Sequence, residues 1–224
     1  MQAGLSTKNA PSPNVVLPHY AFGAVSFLTA AILLFFAASE LTGHYLSPKI
    51  LSITHVLVLG WITMVIFGAL YQLIPVVMEV KLYSEKLAMT TFIMFGIGLI
   101  TLSTSMWSFN FGRNIGMEIG GYLILISMLL FAINTILSAA QTKRKTIENT
   151  FIITSIFWLL LTIAIGIIMV LNFAFHFIPG SHLQLLKMHA HLGVVGWFLL
   201  LVIGVASKLM PMFLIVHKLP RKLL

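Results

Sequence analysis

Two histidine-bearing segments hold the side chains in this chain best suited to chemistry. Thr54 to Trp61 reads THVLVLGW, and Met188 to Trp197 reads MHAHLGVVGW. A neutral imidazole offers one nitrogen lone pair, so two imidazoles at matched depth on neighbouring helices can ligate one iron from both sides. His55, Gly60, Trp61, Gly68 and Pro75 recur as His191, Gly196, Trp197, Gly204 and Pro211. The recurrence has no gap and a constant offset of about 136 positions, the mark of an internal repeat. Gly60, Gly68, Gly193, Gly196 and Gly204 offer room for a flat group, and their Leu, Val and Phe neighbours offer apolar walls. The plainer reading has each histidine bonded to a carbonyl at a membrane interface, with the glycines serving close helix packing.

His189 and His191 stand two apart, which on a helix turns them roughly 200° from each other. One helix therefore offers ligands to two different sites, and His189 shares its face with Gly193 and Gly196, where a flat group or another helix can approach. His44, His176 and His182 gather with these residues near the same ends of the apolar runs, while His19 and His217 lie at the other ends. With Glu40, one turn before His44, they are candidates for a separate metal site. Imidazole suits copper, zinc or iron about equally, so the sequence names no metal. Glu40 and His44 read equally well as an ordinary i, i+4 pair.

These residues require membrane helices to position them. Hydrophobic residues make up 59% of the 224 positions and charged residues 8%, and mean hydropathy is +1.05, the composition of an integral membrane protein. The chain has no cysteine, which excludes disulfides and thiolate-bound metal. Apolar runs long enough to cross a hydrocarbon core fall at 20–41, 51–78, 87–109, 115–140, 151–175 and 183–216. The fold expected is all-α, a six-helix membrane bundle in which spans 1 and 2 resemble spans 5 and 6. Residues 1–18, with Pro11, Pro13 and Pro18, read as an irregular tail, 19–217 as the membrane domain and 218–224 as a basic tail.

Lys and Arg decide the orientation. Lys8, Lys81, Lys86, Lys143, Arg144, Lys145, Lys218, Arg221 and Lys222 fall on one side, and Lys49, Arg113 and Lys187 on the other. The positive-inside rule puts both termini in the cytoplasm and the histidine cluster near the outer leaflet. The net charge of +8 is thus dispersed over loops and chain ends, a topology signal and not a nucleic-acid footprint. Gly112, Gly116 and Gly120, four apart, form a close-contact face within the bundle or between copies in a homo-oligomer.

The two histidine segments resemble the heme-ligand helices of the heme-copper oxidase catalytic subunit (subunit I) superfamily, especially its cbb-type and nitric oxide reductase branch. The resemblance covers two of the six spans. It implies a b-type cytochrome in a bacterial cytoplasmic membrane, with His55 and His191 as axial ligands of a low-spin heme b. His189 would be the ligand of a second heme, and Arg113 a partner for heme propionates. Electron transfer or O2 or NO binding would follow, with a redox partner or respiratory subunit alongside. The third and fourth spans hold no histidine, so the family's copper ligands are missing. Two other classes fit the sequence: a metal-ion handling or transport protein built on the outer histidines, and a non-catalytic oxidase accessory subunit.

Overall fold

The computed structural model describes residues 9–44, 46–142, 146–180 and 182–214. Its six long helices are each long and apolar enough to cross a membrane, the architecture of a multi-pass membrane protein. Helix α1 is Pro13–Phe36. Helix α2 runs continuously through Pro48–His55, a π-helical stretch Val56–Thr63, and Met64–Val77. Helices α3, α4 and α5 are Glu85–Trp107, Ile115–Ala139 and Ile147–Phe175. Helix α6 repeats the pattern of α2, as His182–His191, a π-helical stretch Leu192–Leu199, and Leu200–Phe213. The two π stretches stand at the same offset as the sequence landmarks, each opening directly after His55 or His191.

Local chemistry sets the helix starts. Ser84, Asn114 and Thr146 accept from the N–H groups of Leu87, Met117 and Asn149. Glu85, Glu118 and Glu148 follow in the first turns, where the helix dipole favours a negative charge. Helix α1 begins at Pro13, seven residues before the apolar run expected from sequence, so 13–18 belong to the helix and not to a tail. Ser12 accepts from Asn14 N–H and Pro13 occupies the first turn, where a missing N–H costs nothing. Its far end stops at Phe36 instead of residue 41, giving way to a 3₁₀ turn over Ala38–Thr42. Residues 1–8 and the basic tail 218–224 lie outside the described residues.

Helices α3 and α4 form the centre and α1 and α6 flank it. Buried positions make up 44% of the apolar windows of α3 and α4 but 22% of those of α1 and α6. Of the three glycines spaced four apart, Gly116 and Gly120 lie on α4 and serve this contact inside the bundle: a Cβ on Gly120 would strike the Leu102 backbone and one on Gly116 the Ser105 side chain, whereas Gly112 precedes the helix and faces open space. The core is aromatic: Phe67 of α2 stacks on Phe131 of α4 at 3.8 Å, and Trp197 of α6 meets both edge-on. At one end, Asn134 of α4 ties the loop between α2 and α3 to the bundle, its amide bonding both the N–H and the carbonyl of Ser84. The opposite end carries His55, His176, His182 and His189.

Candidate functional site

The histidine end encloses a cavity of about 390 Å³, within the roughly 300–1,000 Å³ of small-molecule and cofactor sites. Its walls are largely apolar, from Met106, Phe109 and Met117 to Met169 and Phe173. Four imidazoles line it: His55 from α2, His176 at the C-terminal cap of α5, and His182 and His189 from α6.

Hydrogen bonds sort these four by what they can still do. His55 donates its Nδ1–H to the Leu51 carbonyl at 2.7 Å, one turn back on its own helix. His189 donates Nδ1–H to the Thr162 carbonyl of α5 at 2.8 Å. A carbonyl only accepts, so each Nδ1 carries the proton and each Nε2 keeps its lone pair. The two rings stand 6.5 Å apart between centroids, with planes 23° from parallel. Two imidazoles on opposite sides of one ion, each nitrogen about 2 Å from it, put their ring centres roughly 6 to 6.5 Å apart.

His182 is committed otherwise. The Ile178 backbone N–H donates to Asn172 Oδ1 at 2.8 Å, which fixes the amide orientation. Asn172 Nδ2 therefore donates to His182 Nε2 at 2.9 Å, and the ring lies flat on Phe173 at 4.4 Å. This imidazole fastens the turn and has no free Nε2. His176 caps α5 in the left-handed conformation, φ 49°, a strain of about 1–3 kcal/mol for a non-glycine residue.

The remaining candidates fall outside the cavity. His191, expected from the repeat to face His55, is exposed on the far side of α6, its Nδ1–H donating to the Lys187 carbonyl. The roughly 200° between positions 189 and 191 decides this. Helix α6 rests on α5 through His189, Gly193 and Gly196, with Gly196 against Trp158 and Gly193 against Thr162, so His191 points away. Glu40 bonds Ser47 Oγ at 2.7 Å and Lys49 Nζ at 3.3 Å, while His44 accepts from Leu46 N–H. Neither residue lines the cavity with His176 and His182. Among the described residues no group of three or more His, Cys, Asp or Glu is arranged to hold a metal ion. Arg113 donates to Glu118 at 3.1 Å and sits over Phe175, and it too lies outside the cavity lining.

Sequence reasoning missed Thr162 and Gly166, because a backbone carbonyl and a glycine on another helix leave no motif. Compared with protein-family models, curated proteins and solved structures, the chain matches none. The residues at hand fit a flat, iron-centred group on their chemistry: two near-parallel imidazoles whose Nδ1–H groups are bonded to carbonyls, an apolar wall and a cavity of cofactor size.

Proposed function

We propose that the protein is a membrane b-type cytochrome, distantly related to heme-copper oxidase subunit I, that carries electrons through a heme held by His55 and His189. The observation that carries this reading is the pair itself, two imidazoles 6.5 Å apart with near-parallel planes across an apolar cavity. Each is held by a carbonyl in the tautomer that ligation needs. A heme ligated by two imidazoles is coordinatively saturated and exchanges one electron between its ferric and ferrous states. A heme held by both histidines would leave no position open to O2 or NO, so electron transfer is the favoured activity. The apolar walls exclude water and favour the less charged state of the site.

Orientation and ancestry belong to the same proposal. The dispersal of Lys and Arg assigns both termini to the cytoplasm and the cavity to the outer leaflet of a bacterial inner membrane. The matched π stretches after His55 and His191 support descent of α1–α2 and α5–α6 from one duplicated unit. Such wide turns recur at functional sites.

The test is the visible spectrum of the detergent-purified protein, oxidised and dithionite-reduced, with a pyridine hemochrome assay and then carbon monoxide. Sharp reduced α and β bands, a b-type hemochrome and no carbon monoxide shift are expected. A carbon monoxide shift would replace electron transfer with gas binding at an open position. Absence of heme after expression with ample heme supply overturns the cytochrome reading.

A further inference from the structure

We infer that α5 carries a shaped seat for His189, made by the Thr162 carbonyl and the bare Cα of Gly166, and that Gly166 is a positioning residue for the ligand pair. This rests on the cytochrome reading and says how its geometry is set.

The two histidines are held in different ways. His55 is tied to its own helix through Leu51, one turn away, as a helical histidine can be anywhere. His189 is tied to a different helix, across 27 positions of sequence, by its bond to Thr162. Its ring plane therefore depends on how closely it can lie against α5. Gly166 stands one turn beyond Thr162 and lines the same cavity. A Cβ there would come to 3.1 Å from His189 Cε1, 3.5 Å from Nδ1 and 4.0 Å from Nε2.

Those three nearest atoms all belong to the imidazole. Gly96 and Gly196 likewise face rings, those of Phe22 and Trp158, while Gly120 faces the Leu102 and Gly98 backbones. At Gly166 the space is kept for a ring. Glycine inside a helix costs about 1 kcal/mol relative to alanine, and at Gly166 it lets the His189 ring of α6 lie against α5 beside the Thr162 carbonyl. A methyl group pressing on Cε1, between the two nitrogens, turns the ring or lifts it from Thr162. Either motion changes the 23° between its plane and that of His55.

The experiment compares wild type, Gly166→Ala and Gly112→Ala, each as full-length chain loaded with heme. The readouts are the electron paramagnetic resonance of the ferric state and the rate of heme loss to an excess of apomyoglobin. The g values of a bis-imidazole ferric heme follow the angle between its ring planes, which general loss of stability does not mimic. Wild type is expected to give the rhombic low-spin signal of near-parallel rings. Gly166→Ala is expected to shift the largest g value and lose heme about tenfold faster, the usual scale for a group that orients a metal ligand. Gly112→Ala, which meets open space, should match wild type. If Gly166→Ala has wild-type g values and wild-type heme loss, the seat is refuted while the cytochrome reading stands. A wild type with no low-spin ferric signal overturns the cytochrome reading, and the seat falls with it. A second measurement needs no folded alanine variant: nitrogen NMR of the full-length chain with labelled imidazoles, His189 assigned through His189→Gln. The Nδ1–H tautomer supports the seat, and the Nε2–H tautomer refutes it.

Discussion

Helices α2 and α6 carry the same landmarks and use them alike on one face but differently on the other. In α2, a Cβ on Gly60 would meet Ser26 and one on Gly68 would meet His19, both on α1. In α6, Gly196 rests on Trp158 and Gly204 on Phe151, both on α5. The glycine face thus seats each helix on the one before it. The other landmarks trade places: His55 lines the cavity while His191 is exposed, and Trp61 is 39% exposed while Trp197 is 4%. Trp61 lies against Phe27 on the outer surface of α1 and α2, whereas Trp197 plugs the core beside Phe67 and Phe131. The difference is one of rotation about the helix axis. Helix α2 turns His55 inward and Trp61 outward, whereas α6 turns Trp197 inward and His191 outward. Identical side chains at identical spacing therefore meet protein in one helix and open surface in the other.

That contrast is broken most directly at the histidines. His55→Ala and His189→Ala are each expected to abolish the low-spin reduced bands, while His191→Ala keeps them. Retention in His189→Ala together with loss in His191→Ala would restore the pairing that the repeat suggests. The tryptophans come next. Trp197→Ala opens a void among Phe67 and Phe131 and should destabilise the protein by about 2–4 kcal/mol. Trp61→Ala should cost under about 1 kcal/mol. Thermal unfolding in detergent measures both, and equal losses would contradict the asymmetry.

A like effect in both halves would sharpen the comparison. Gly60→Ala and Gly196→Ala would each press a methyl group into a neighbour, with the nearest atoms at 2.7 Å and 2.8 Å. Each should cost about 1–3 kcal/mol by overpacking, and a large effect in only one half would argue against equivalent seating. The smallest expected effect lies in the loop between α1 and α2, whose chemistry has no counterpart among the described residues between α5 and α6. The hydroxyl of Ser47 and the ammonium of Lys49 hold the Glu40 carboxyl below the usual carboxylate range. A carboxyl lowered in the folded state stabilises it fully above the ordinary carboxylate range and loses that contribution as pH falls through the lowered value. Acid-side unfolding should therefore steepen slightly in wild type relative to Glu40→Gln. Coincident curves would mean that the ion pair adds nothing.

The sequence made much of this legible. The number of long helices and the cores of all six follow from apolar runs, which need no partner to be recognised. Helix ends were less legible. Pro18 looks like a breaker, yet it sits at the sixth position of a helix that starts at Pro13, where it gives up one i to i−4 hydrogen bond without ending the helix. The break at Ala37 has no signal in an apolar run. The candidate site was legible as residue types but not as partners. His55 and His189 were both identifiable, and the spacing of His189 and His191 placed them on opposite faces.

Which face turns inward was beyond any pattern within α6. By itself the sequence determined the helices, their apolar surfaces, the landmark repeat and a stock of imidazoles at one end. Those depend on local spacing and on transfer of side chains out of water. The tertiary structure decided that His189 meets His55, that His182 is spent on Asn172, and that a glycine on α5 keeps room for a ring. Each of those is a contact between helices distant in sequence or across a turn, fixed by the packing of the whole bundle.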